Sequence, residues 1–318
     1  MRLLVKGTNW LGDAVMSLPT LRSLRQMHPG AHISILTRKT LADLYGGAPY
    51  VDEALPYDGA LGAVKLARRA RVDAALILPR SFSSALMLFS ARVPRRIGYG
   101  GEGRSFMLTD ALPRDRALLT THRVHYYHHL LTALGKPPAP KPPELRLPDD
   151  VKAWAREQMA GDDWLGLNPG ATYGLAKQWM PERFAAVARR LDLRVAVVGG
   201  PAEAELGARV AADIRGAVNL AGRTGILQLA AVIDRCRLFL TNDTGPMHVA
   251  DAVGTPIVAI FGPTDWIATP PFGKRHTIVR REIECAPCLK RTCPLGHHNC
   301  MKWVTIDEVV EACNKWLR

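Results

Sequence analysis

The feature that most constrains this chain is an alternation of short apolar runs with amphipathic segments, repeated twice and broken once by proline. Arg2–Lys6 (RLLVK), His32–Thr37 (HISILT), Ala74–Leu78 (AALIL) and Arg96–Tyr99 (RIGY) are brief and apolar, which predicts buried strands. Between them, Ala14–Met27 carries Val15, Leu18, Leu21 and Leu24 at a spacing of three, and Pro29-Gly30 stops that helix. Leu61–Arg71 reads as a basic amphipathic helix and Ser83–Ser90 as an apolar one. Residues 136–148, KPPAPKPPELRLP, hold six prolines in thirteen positions. Proline removes a backbone donor and disfavours helix, so this stretch is predicted to be an extended linker. The rhythm then resumes. Strands are expected at Trp164–Leu167, Val195–Val198, Leu238–Thr241 and Ile257–Phe261. Helices are expected at Pro181–Leu191, Ala202–Ile214, Leu227–Ile233, Pro246–Val253 and Ile306–Leu317. Such alternation predicts an α/β fold with parallel sheets covered by helices on both faces. We divide the chain into a domain over 1–135, a Pro-rich linker over 136–150 and a second domain over 151–318. The final helix could return to the first domain.

Composition narrows the function. Of 318 residues, 47% are hydrophobic and 22% charged, near the globular average, which excludes a disordered or collagen-like chain. Lys and Arg number 42 against 29 Asp and Glu, a net charge of +13. Residues 1–150 hold 21 of those bases and 12 of the acids, a net of +9, leaving +4 for the rest. An anionic partner is expected, chiefly on the first half. No apolar run reaches 18 residues, and the opening MRLLVKGTNWLGDAVM reads as a strand and turn rather than a signal peptide. Six cysteines, four crowded into 285–300, do not resemble a secreted disulfide framework. These observations predict a cytoplasmic protein.

Four strings carry chemistry. Lys6-Gly7-Thr8-Asn9-Trp10-Leu11-Gly12-Asp13 follows a strand and opens a helix, yet is neither a Walker loop nor GxGxxG. Asp13 at the helix mouth is either a cap or a general base. Asn168-Pro169-Gly170-Ala171-Thr172 with Lys177 could clamp a diphosphate, lysine being a compact charge with three donors. In Thr241-Asn242-Asp243-Thr244-Gly245-Pro246-Met247-His248, the N–H groups of Asp243, Thr244 and Gly245 are expected to point at an anion. Cys285, Cys288, Cys293 and Cys300, with His297 and His298, are dense enough for a tetrahedral zinc site, although the spacing is not a pair of CxxC knuckles. A reduced loop packed by thiols is the plainer reading. Arg80, Arg95, Arg96, Arg104, His122 and Arg123 form a looser basic set near strand ends.

Taken in order, NWLGDAVMSLPTLRSL, SFSSALMLFSARVPRRIGY, NPGATYGLAKQWMPERF, VVGGPAEAE, TNDTGPMHVADAVGTPIVAIFGPTD and CAPCLKRTCPLGHHNCM resemble the ADP-heptose:lipopolysaccharide heptosyltransferases of glycosyltransferase family 9. The likeness runs nearly end to end, and the cysteine loop is most similar to members that add the second heptose. The resemblance implies a GT-B fold, two Rossmann-like domains facing a central cleft, with the acceptor on the first and the nucleotide sugar on the second. It implies inverting transfer of L-glycero-D-manno-heptose from ADP-L-glycero-β-D-manno-heptose to heptosyl-Kdo2-lipid A, without metal or cofactor. It further implies a monomer working peripherally at the cytoplasmic face of the inner membrane. By position, Asp13 matches the general base and Lys177 the lysine that holds the diphosphate. Thr172, Glu203, Thr224, Asp243, Thr244, Gly245 and His248 match donor contacts, with Glu203 on the ribose and Thr224 beside adenine. Asn9, Trp10, Arg80, Arg104, His122 and Arg123 are candidates for the acceptor. The resemblance confers no zinc. A family 9 enzyme with another nucleotide sugar, or another acceptor such as Kdo2-lipid A, would share these motifs. A nucleic-acid binder is opposed by the dispersal of the basic residues, and a nicotinamide dehydrogenase by the lack of GxGxxG.

Overall fold

Every apolar run predicted above is a strand, and all strands pair in parallel because helices carry the chain back between them. The computed structural model describes residues 1–172 and 174–318, and for Arg116 the backbone only. The chain divides into two units, Met1–Arg146 and Leu147–Arg318. The division thus falls inside the Pro-rich stretch, most of which stays with the first unit. Glu144 accepts from Arg22 and Tyr50, both at 3.1 Å, and the Arg146 N–H donates to Gly47 O.

In the first unit the strands are β1 (Arg2–Lys6), β2 (His32–Arg38), β3 (Glu53–Tyr57), β4 (Ala74–Ile77), β5 (Arg95–Tyr99) and β6 (Asp110–Leu112). Their order across the sheet is β3-β2-β1-β4-β5-β6. In the second they are β7 (Trp164–Asn168), β8 (Arg194–Val197), β9 (Val218–Asn219), β10 (Cys236–Asn242), β11 (Ile257–Phe261) and β12 (His276–Arg280), in the order β12-β11-β10-β7-β8-β9. Both sheets therefore start at a central strand, run outward one way and then reverse. The reversal lies between β1 and β4 in one sheet and between β7 and β10 in the other. Outside the carboxyl ends of those strands an open α/β sheet leaves a crevice for ligand.

One reading changes. The helix expected over Ala14–Met27 is two helices, Leu11–Met16 and Leu18–Met27, because Pro19 can sit only in a first turn. The last helix, Ile306–Leu317, packs on β10, β11 and β12, and Trp316 donates to Thr277 at 3.0 Å. The second unit's core centres on fully buried Trp179 and Phe184, whose rings meet edge to face at 5.3 Å.

Candidate active site

The first half-site grows from β1. Lys6, at the end of that strand, is 1% exposed, its Nζ donating to Gly7 O at 2.6 Å and lying 5.0 Å over the Tyr57 ring. Burial, with Arg38 nearby, lowers its pKa to about 8. The chain then turns through Gly7–Trp10 into Leu11–Met16. Trp10 is the N-cap and makes no side-chain cap bond, so Asp13 in the first turn is not the capping residue. Instead an Asp13 carboxylate oxygen accepts from the Tyr127 hydroxyl at 2.7 Å. Tyr127 is buried, and burial together with Asp13 pushes its pKa well up, so the phenol stays a donor. Asp13 itself is half-buried, with one oxygen fixed and a path to solvent. Sequence reasoning passed over Tyr127.

The acceptor candidates separate. Trp10 is 56% exposed beside Asp13, and Asn9 accepts from Tyr57 at 3.5 Å. Arg80 is exposed on the loop after β4. His122 caps Arg123–His129, the helix that bears Tyr127, by accepting from Val124 N–H at 3.1 Å, and Arg123 stacks over Tyr126. Arg104, also a candidate, faces inward. It is buried and donates inward to Pro79 O at 2.7 Å and Ser81 O at 3.0 Å, holding the loop that carries Arg80.

The second half-site lies at the carboxyl ends of β7 and β10. Asn168 ends β7, is buried, and donates to Thr244 Oγ1 at 2.7 Å and Thr241 Oγ1 at 3.2 Å. Asn242 ends β10, donates to Pro169 O and Gly170 O at 3.0 Å, and accepts from Trp179 N–H at 3.1 Å. These two side chains stitch the loops together and place Lys177 on a single 3-10 turn, Leu175–Lys177. The Lys177 ammonium donates to the Asp243 carboxylate at 2.9 Å and Asp243 O at 3.2 Å. Thr244 is the N-cap of Gly245–Val253, a helix with Pro246 in its first turn and the buried His248 beyond it. The Asp243 N–H, expected to be free, donates to Ile260 O at 3.2 Å, extending the ladder with β11 past the end of β10. Thr244 and Gly245 therefore supply the N–H groups at that helix start.

Glu203 sits at the turn after β8, where its carboxylate accepts from Gly200 N–H at 2.7 Å. A Cβ on Gly170 would stand 2.0 Å from that carboxylate, so glycine is what brings the β7 and β8 turns together. Thr224 lies half-buried in the next loop along, and Thr172 is exposed beyond Gly170.

The cysteine loop borders this half-site. All six cysteines are free thiols. Cys285, Cys288, Cys293 and Cys300 line a cavity of about 20 Å³ together with His297, His298 and Ala176. Burial and then the three neighbouring thiols push Cys300 up to about 11, while the backbone N–H of His298, with others of that turn, holds Cys293 below the ordinary thiol value. Among the described residues no three His, Cys, Asp or Glu side chains stand where they could hold a metal ion. Cys300 is committed to the core beside Met301, and Cys293 turns to the backbone that follows it. What the loop does is brace the Lys177 turn. His298 Nε2 meets Ala176 O at 2.8 Å, and Ala176 N–H donates to Arg291 O at 3.1 Å.

Two parallel sheets of one strand order, with a held carboxylate on the first and a lysine beside a helix start on the second, define the class: an α/β glycosyltransferase of the GT-B fold. The chain belongs to glycosyltransferase family 9 (heptosyltransferase), whose family model matches residues 63–299. Among its relatives are the lipopolysaccharide heptosyltransferases 2 of Salmonella typhimurium and Escherichia coli, each 30% identical over 100% of this chain and 99% of the relative. The solved structure of E. coli ADP-heptose LPS heptosyltransferase II matches with a TM-score of 0.88 and 30% identity, covering 100% of this chain and 98% of that one. E. coli heptosyltransferase WaaC with ADP-2-deoxy-2-fluoro heptose shares the fold at a TM-score of 0.74 and 19% identity, covering 99% of each chain.

Proposed function

We propose that this protein transfers L-glycero-D-manno-heptose from ADP-heptose to the inner-core heptose of lipopolysaccharide, inverting the anomeric centre. The observation that carries the reading is the convergence of Lys177 and the Gly245 helix start at the ends of β7 and β10. A cation and free N–H groups at a topological switch point suit a diphosphate. The diphosphate displaces Asp243 from part of the Lys177 ammonium. Glu203 takes the ribose hydroxyls, Thr224 borders adenine, and Thr172 and His248 complete the donor contacts.

The acceptor binds the first unit near Asn9, Trp10, Arg80, His122 and Arg123. Asp13 removes the proton of its attacking hydroxyl, the new C–O bond forms at the anomeric carbon, and the bond to the β-phosphate breaks with its electron pair on ADP. Lys177 and the helix start offset the charge growing on that leaving group. One displacement inverts, and no enzyme nucleophile, metal or cofactor takes part. Tyr127 fixes Asp13 so that its second oxygen faces the acceptor. Among the described residues no helix is long and apolar enough to cross a membrane; we read the protein as a monomer working peripherally at the cytoplasmic face of the inner membrane. Mass spectrometry of products from ADP-heptose with heptosyl-Kdo2-lipid A, and separately with Kdo2-lipid A, tests the reading. A gain of one heptose on the first acceptor alone supports it; a gain on Kdo2-lipid A alone moves the enzyme to the other acceptor.

A further inference from the structure

A surface helix ordinarily turns charged residues to water. Phe82–Ser90 has none, and is apolar on both faces. Ala85 and Leu88 enter the core, while Phe82, Leu86 and Phe89, at i, i+4 and i+7, are 45%, 42% and 43% exposed. Phe106, 70% exposed on the neighbouring 3-10 turn, sets its ring edge-on to Phe89 at 6.2 Å. Single exposed apolar residues are ordinary; four in one stripe are not.

The stripe has a cationic rim. Arg96 lies over the Phe89 ring at 5.5 Å, Arg68 reaches Ser90 O at 2.7 Å, and Arg92 is exposed just past the helix end. Among the described residues none of the three makes an ion pair. Residues 59–109 carry nine Lys and Arg against two acids, Asp73 and Glu102, and Glu102 is taken by Arg114.

We propose that this face is the surface by which the protein seats on an anionic lipid bilayer, the Phe and Leu side chains entering the headgroup boundary and the arginines meeting lipid phosphates. A second copy of the chain would bring the same cationic rim against this one, and like charges so placed repel. The inference deepens the transferase reading and rests on it only for the lipid-borne acceptor; the surface itself stands on this helix and its rim.

The test is co-sedimentation with vesicles of phosphatidylcholine alone and with about 30% phosphatidylglycerol, for wild type and for Leu86→Glu/Phe106→Glu. Both sites are exposed, and a circular dichroism melt checks the fold. Wild type should bind the anionic vesicles, and the variant about tenfold less. Heptose transfer should fall similarly on vesicle-embedded acceptor while staying at the wild-type rate on a delipidated one. Equal vesicle binding by both proteins overturns the proposal, as does a wild-type dimer that the substitutions turn into monomer. Vesicle binding as expected with no transfer to any acceptor would sink the transferase reading and leave the surface standing.

Discussion

At the residue scale, catalysis and stability turn on how individual side chains are held. Tyr127 lies 114 residues from Asp13 in sequence yet donates to its carboxylate. Tyr127→Phe removes one hydrogen bond to a charged group, worth about 1.5–3 kcal/mol. We expect kcat to fall roughly tenfold or more with KM for ADP-heptose unchanged, read by steady-state kinetics. Lys6 makes a different prediction. Its pKa falls from 10.5 in an ordinary setting to about 8 in the fold, so between these values the unfolded chain binds the extra proton. Stability from this group therefore rises with pH through that window and is least below it. Lys6→Met should be more stable at pH 7, by up to about 3 kcal/mol, and should lose that rise. Urea melts at pH 7 and pH 9.5 decide. Asp13 was legible as a functional candidate because a carboxylate follows a strand and two glycines at a helix mouth. Tyr127 was not, because neither spacing nor composition marks a contact made by tertiary folding.

At the element scale, the central strands were legible and the edges were not. Ile257–Phe261 is a wholly buried, wholly apolar strand and was readable to the residue. The edge strand β3 contains Pro56, which weakens a strand signal but is tolerated where one side of the strand has no partner. The other edge strands escaped for related reasons: β6 is three residues long and β9 two, and β12 (HTIVR) mixes charge with apolar side chains. The cysteine loop shows the converse. Its composition suggested metal, whereas its geometry braces Leu175–Lys177. His298→Ala removes the bond to Ala176 O and loosens the turn that carries Lys177, and we expect kcat/KM for ADP-heptose to fall several-fold. Gly170→Ala makes a parallel case. The added Cβ pushes the end of a flexible Glu203 side chain rather than backbone, so the fold should survive while ADP affinity falls to that of Glu203→Gln. Isothermal titration of both variants checks this.

At the scale of the whole molecule, one topology is used twice with different side chains at the same position. The first unit puts Asp13 at its reversal point and the second puts Asn168, Lys177 and Asp243 there. If the nucleotide is held by the second unit, ADP should stabilise that unit selectively. At a hundred times Kd the gain is about 2.7 kcal/mol. Calorimetry with ADP should then raise the transition of Leu147–Arg318 and leave that of Met1–Arg146 in place.

On the proposed mechanism Asp13 takes the acceptor proton while the second unit alone holds the donor. The most direct measurement compares wild type with Asp13→Asn, which keeps the shape and a Tyr127 contact but removes the base. Transfer is followed by product mass in a single turnover, alongside ADP affinity. Transfer by the variant should be slowed roughly 10²–10⁴-fold with ADP affinity unchanged. Transfer at the wild-type rate by Asp13→Asn would contradict that mechanism.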